Sequence, residues 1–127
     1  MKMIPIFRCS DMKAALTFYT GILGFRFKYD DESAEDVVVN LIDADSGAEL
    51  MLTILEGDQK IGIAANVLVD DVDGLFAAFL QRGLDVSSKK GSPVHQGPID
   101  QTWGMREFYV SDRDGNTLRY RMPVRKS

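Results

Sequence analysis

Among its 127 residues the chain has a single cysteine, a single histidine and a single tryptophan. One cysteine, Cys9, excludes an internal disulfide and fits a reducing compartment. No apolar run approaches the roughly 20 residues needed to cross a bilayer. The opening "MKMIPIFRCSD" holds neither the apolar core nor the small-residue cleavage site of a secretory leader. These absences set the expectation of a cytoplasmic protein with no membrane partner. Excess positive charge is missing too. A net charge of −4 argues against nucleic acid as a partner, since phosphate binding needs a basic footprint. The acidic balance would tolerate a cationic or neutral ligand. Only the terminal "RMPVRKS" is basic, and it reads as a solvated tail. Low-complexity and linker-like stretches are also lacking. With 45% hydrophobic and 27% charged residues, the chain reads as one globular domain, 1–127.

What is present is a repeat. "DMKAALTFY" (11–19) and "DVDGLFAAF" (71–79) lie 60 residues apart, each after a short apolar stretch. Both open on aspartate, a favoured helix N-cap. Both then place apolar residues at helical spacing: Met12, Ala15, Leu16 and Tyr19 in one, Val72, Leu75, Phe76 and Phe79 in the other. Gly24 and Gly83 are placed to end these helices in the left-handed conformation. The pattern predicts two halves of order β-α-β-β-β, module one about 1–58 and module two about 61–123. The expected elements are strands 3–9, 25–30, 36–43, 48–55, 62–69, 84–89, 104–111 and 116–122, with helices 11–23 and 71–82. A Pro/Gly-rich loop spans about 91–102, long enough to suspect function.

Strand alternation sorts side chains onto two faces. In "AELMLTIL", Leu50, Leu52 and Ile54 are assigned to the helix side, leaving Glu49, Met51 and Thr53 opposite. Phe108, Val110, Leu118 and Tyr120 are assigned to the core. Trp103, Met105, Glu107, Tyr109, Thr117, Arg119 and Arg121 then share the other face, which is mixed, aromatic and charged, like a pocket lining. "DRDGN" (112–116) reads as a hairpin turn.

"FYTGILGF" (18–25), "VLVDDVDGLFAAF" (67–79) and "WGMREFYVSDRDGNTLRY" (103–120) together resemble the vicinal oxygen chelate superfamily, in its glyoxalase/bleomycin resistance protein/dioxygenase-like branch. The resemblance spans nearly the whole chain. It implies an α+β fold, two βαβββ modules forming a cupped mixed sheet, often completed by dimerisation. Metal-using members place a histidine or similar ligand in the first strand of a module and a glutamate in the last. By resemblance those positions fall on Ile4, Ala64, Arg119, and either Glu49 or Met51. Isoleucine and alanine carry no donor, and arginine is a permanent cation. A divalent ion needs several N, O or S ligands together.

Other chemistry has little support. His95 is expected as an exposed loop residue, with a general-base role as the alternative. Ser10, Ser87, Ser88, Ser92 and Ser111 have no base apparent in sequence. Cys9 reads as a small buried strand residue. The resemblance therefore implies a metal-free, cofactor-free homodimer that sequesters a bulky aromatic, antibiotic-like small molecule. No catalytic residue is assigned. The expected ligand-binding residues are Trp103, Met105, Glu107, Tyr109, Arg119 and Glu49. Trp103 would stack on the ligand, aided by Tyr109 and Met105, while Glu107 and Glu49 would complement a cationic one. Glu49 and Glu107 are expected to pair with Arg119, Arg121 or Arg8, and Arg119 is expected to take over the metal's charge role, within salt-bridge reach of Glu49 or Glu107. The alternative is a metal-dependent lyase, isomerase or dioxygenase of the same superfamily with degenerate ligands.

Overall fold

Asp11 and Asp71 cap their helices as their positions predict. The Ala14 amide donates to Asp11 Oδ1 at 3.1 Å, and the Gly74 amide to Asp71 Oδ1 at 3.0 Å. In this computed structural model, which describes residues 1–57, 60–87 and 91–124, the chain divides into two compact units. The first is Met1–Ile63 with the short stretch Asp112–Asn116; the second is Ala64–Ser111 with the chain from Thr117.

The first unit runs β1 (Ile6–Arg8), α1 (Met12–Leu16), β2 (Arg26–Phe27), β3 (Val38–Ile42) and β4 (Glu49–Thr53). Its sheet has the order β1-β4-β3-β2, with β1 parallel to β4 and the other pairs antiparallel. Phe7, Met12, Ala15, Leu16, Tyr19, Val39, Leu41, Leu50 and Leu52 are buried as its core. From Thr17 to Ile22 the helix widens into a π-helical stretch. Thr17 and Thr20 turn their hydroxyls back onto the carbonyls of Lys13 and Leu16, and Leu23 N–H reaches the Phe18 carbonyl five residues back. Hydroxyls competing for main-chain carbonyls loosen a helix in this way. Gly24, at φ 82°, then turns the chain into β2.

The second unit runs β5 (Ala64–Leu68), α2 (Val72–Gln81), α3 (Pro93–Gln96), β6 (Ile99–Asp100), β7 (Met105–Ser111) and β8 (Thr117–Pro123). The order β5-β8-β7-β6, again with its first and last strands parallel, repeats that of the first sheet. The core is aromatic: the Phe76 and Phe79 rings of α2 meet Phe108 edge-on at 5.1 and 5.9 Å, and Phe108 stacks on Tyr120 at 5.1 Å. Phe108, Val110, Leu118 and Tyr120 are all buried, as the alternation predicts.

Two expectations are corrected. The strand predicted over 84–89 does not form at 84–87, and residues 88 and 89 lie outside the described residues. Asp85 accepts hydrogen bonds from both the amide and the hydroxyl of Ser87, at 2.9 and 2.6 Å; such a local turn competes with strand pairing. The edge position beside β7 is filled instead by β6, inside the segment expected to be loop. Ile54 is not a core residue. β4 ends at Thr53, and Ile54 lies exposed beyond it. Residues 58 and 59, and 125–127 of the basic tail, also lie outside the described residues.

Candidate functional site

The register of β7 with β8 builds the candidate site. Glu107 lies opposite Arg121, Tyr109 opposite Arg119, and Ser111 opposite Thr117. Directly opposed residues project to the same side, so all six stand on the face turned away from α2. Met105 belongs to the same face by alternation and is half-buried.

Glu107 is the centre of this group. Its side chain is 1% exposed and holds one ion pair and two hydrogen bonds. Arg121 forms an ion pair with Oε2 at 2.5 Å, the Trp103 indole N–H donates to the same oxygen at 3.3 Å, and the Tyr109 hydroxyl donates to Oε1 at 3.0 Å. A buried carboxylate needs this kind of compensation. Arg121 Nε is buried with no hydrogen-bond partner among the described residues. Tyr109 has its phenol pKa raised, first by burial and then by its bond to the Glu107 carboxylate.

Trp103 precedes β7 rather than lying in it. Gly104, at φ 85°, bends the chain there, and its amide donates to the Gln101 carbonyl at 3.2 Å. The indole is tied at its N–H, yet the residue is 58% exposed. An aromatic held at one edge with its faces open is a ready stacking surface.

Within the second unit Arg119 does not pair with Glu107, which corrects that part of the expected salt bridge. Register decides this: Arg121 is the residue opposite Glu107, while Arg119 faces Tyr109 and lays its guanidinium over that ring at 5.0 Å. Glu49 belongs to the first unit, where Lys2 and Lys28 hold its two oxygens, the latter at 2.5 Å. Hydrogen bonds from Lys2 and then Lys28 lower the Glu49 pKa below its usual value, and Glu49 in turn raises that of Lys28.

His95 is not a free loop side chain. It sits half-buried in α3, with Nδ1 2.7 Å from Ser92 Oγ and Nε2 3.1 Å from Ser111 Oγ. Ser111 Oγ is in turn 2.8 Å from Thr117 Oγ1, and the imidazole meets the Tyr109 ring edge-on at 5.9 Å. A chain of hydroxyls around one imidazole borders the Glu107 group. The signal was legible in "SPVH": serine before proline starts a short helix, and a residue three positions on turns back toward it.

The positions that resemblance points to for a metal do not fit one. Ile4 and Ala64 offer no donor, Arg119 is a cation, and Glu49 is already neutralised by two lysines. Among the described residues no group of three or more His, Cys, Asp or Glu side chains could hold a metal ion.

A sequence profile of the Glyoxalase/Bleomycin resistance protein/Dioxygenase superfamily matches residues 5–120. Among curated proteins, none matches the sequence. Solved structures do. A bleomycin-binding protein complexed with bleomycin superposes with a TM-score of 0.73 at 21% identity, covering 96% of this chain and 98% of that one. A bleomycin resistance determinant encoded on transposon Tn5 gives 0.74 at 20% identity, covering 97% and 98%. A glyoxalase-related enzyme from Clostridium phytofermentans gives 0.71 at 19% identity, covering 98% and 95%. At these identities the likeness shows a shared fold, which here carries a binding protein and an enzyme alike.

Proposed function

The chain belongs to the Glyoxalase/Bleomycin resistance protein/Dioxygenase superfamily, and on that premise we propose that it is a metal-independent binding protein that sequesters a bulky aromatic small molecule. The observation that carries this reading is the Trp103–Glu107 pair. A buried carboxylate spends one of its hydrogen bonds on fixing an indole that remains largely exposed. Fixing a side chain that buries little contributes little to folding, but it lowers the entropy cost of stacking a ligand on it. Tyr109 and Met105 extend the surface. Bleomycin bound to a protein of the same fold supports sequestration, where holding the molecule is itself the function and no bond is broken. The metal-dependent alternatives would have Glu49 as their one carboxylate, and two lysines occupy it.

The working assembly is a homodimer. Leu68, 74% exposed, is a large apolar side chain left open on the second unit, and closed twofold pairing is the usual way such a surface is covered.

Trp103 is the only tryptophan, so intrinsic emission reports on this place alone. Protein freed of metal with EDTA, titrated with bleomycin and a panel of planar aromatic compounds, should show saturable quenching or a spectral shift with a sub-millimolar Kd. A response that appears only when a divalent metal is added back would contradict the reading.

A further inference from the structure

We propose that the face carrying Trp103 selects ligands with a negative charge, with Arg119 as the counter-ion; this rests on reading that face as a small-molecule site. The sequence, at net charge −4, would tolerate a cationic or neutral ligand. The charges on the face itself point the other way.

The register gives the inventory. On the side turned away from α2, β5 contributes Ala64, Asn66 and Leu68, β7 contributes Met105, Glu107, Tyr109 and Ser111, and β8 contributes Thr117, Arg119 and Arg121. Two of these are cations and one is an anion. Asp100 does not alter the balance, because it is paired in register with Arg106. Arg106 projects to the helix side, where it also binds both oxygens of Asp73 in α2.

The single anion is fully committed. Glu107 is buried and takes an ion pair from Arg121 and hydrogen bonds from Trp103 and Tyr109. It has no exposed oxygen to offer an incoming ammonium or guanidinium. Arg119 is the opposite case: exposed, with no ion pair among the described residues, and set over the Tyr109 ring with Cζ 5.0 Å from its centroid. A guanidinium held against an aromatic ring keeps N–H donors that can bind a planar carboxylate in bidentate fashion. Glu107 joins Trp103 to Tyr109, and Tyr109 carries Arg119, so stacking surface and cation form one connected group. A cationic ligand placed on Trp103 would meet Arg119 with no compensating carboxylate. An aromatic anion would meet a cation already held against Tyr109.

The net negative charge of the whole chain does not cancel this. At physiological ionic strength, charges more than about 8 Å apart are largely screened, so the groups on the face decide. The first unit shows the same balance independently, with one carboxylate, Glu49, between two lysines.

Three ligands of one shape test the proposal: 2-naphthoate, 2-naphthamide and 2-naphthylmethylammonium, each titrated by Trp103 emission and by calorimetry. The expected result is that naphthoate binds at least tenfold tighter than the other two. Arg119→Gln should bring it down to the level of the amide, and Arg119→Lys should recover part of the difference. Melting temperatures of both variants should match the parent, because Arg119 is exposed. Ammonium binding as tight as naphthoate, or naphthoate affinity unchanged in Arg119→Gln, would overturn the charge preference while leaving the small-molecule reading intact. No response to any of the three, with Trp103→Ala turning a dimer into a monomer, would assign the face to a second copy of the chain and overturn both.

Discussion

Trp103 and Glu107 share a hydrogen bond but differ fully in exposure, so removing each one asks a different question. Glu107→Gln keeps the shape and removes the charge opposite Arg121. Breaking a buried pair costs about 3–5 kcal/mol, and Arg121, with 22% of its side chain exposed, places the expected loss at the lower end of that range. Trp103→Ala removes one hydrogen bond, worth roughly 0.5–1.5 kcal/mol, from a residue that buries little. Chemical denaturation should therefore show Glu107 as mainly a folding residue and Trp103 as mainly a binding one. Equal losses would contradict the assignment. Cys9 offers a third measurement. Burial first, then the charges of Asp114, Asp112 and Asp11, push its thiol up to about 11 from an ordinary 9.0. Since the folded value lies above the unfolded one, the stability this contributes is complete below pH 9 and disappears as pH rises through about 11. At pH 8 an aromatic disulfide reagent should leave native Cys9 unmodified and label it promptly after denaturation. The arrangement around Glu107 was partly legible. With a five-residue turn at 112–116, pairing inward from Ser111 and Thr117 puts Glu107 opposite Arg121 and Tyr109 opposite Arg119. The same counting separates Arg121 from Arg119 among the arginines expected to pair with Glu107. The lysines on Glu49 come from distant parts of the chain, and no local pattern announces them.

At the scale of elements, "DRDGN" is more than a hairpin turn. Asp112 and Asn116 are buried within the first unit. Asp112 accepts from the Tyr19 hydroxyl at 2.8 Å and from the Asn116 side chain at 3.0 Å. Asn116 accepts from the amides of Gly62 and Ile63 and donates to the Arg8 carbonyl. One amide side chain thus satisfies main-chain groups of two other segments. Asn116→Ala would leave them bare, at about 1–3 kcal/mol for each buried group left unsatisfied, and a melting curve should show the loss clearly. A change within about 0.5 kcal/mol, typical of surface positions, would mean the turn is only a turn. Sequence announces the turn through Asp, Gly and Asn; its burial depends on long-range partners that no periodicity carries. The helices were readable because caps and 3.6-residue spacing are local. The misplaced edge strand was not, because Asp85 and Ser87 form a local turn, and β6 is two residues long, too short for alternation to register.

For the whole molecule, the repeated order β1-β4-β3-β2 and β5-β8-β7-β6 realises the internal repeat seen in sequence, and that repeat is why the architecture was legible even where one edge strand was misplaced. None of the helices among the described residues is long and apolar enough to cross a membrane. The proposed dimer predicts twice the monomer mass by sedimentation at micromolar concentration; monomer alone would contradict it. The central claim is that one connected group around Glu107 presents Trp103 and Arg119 to a small aromatic ligand. It is tested most directly by nitrogen–proton correlation spectra of metal-free protein titrated with 2-naphthoate. The account predicts saturable shifts in the Trp103 indole N–H, the Arg119 side-chain N–H and the amides of Met105 to Tyr109, with the α2 amides unmoved. Shifts confined to other surfaces, or no shift at the Trp103 indole at saturating ligand, would contradict it.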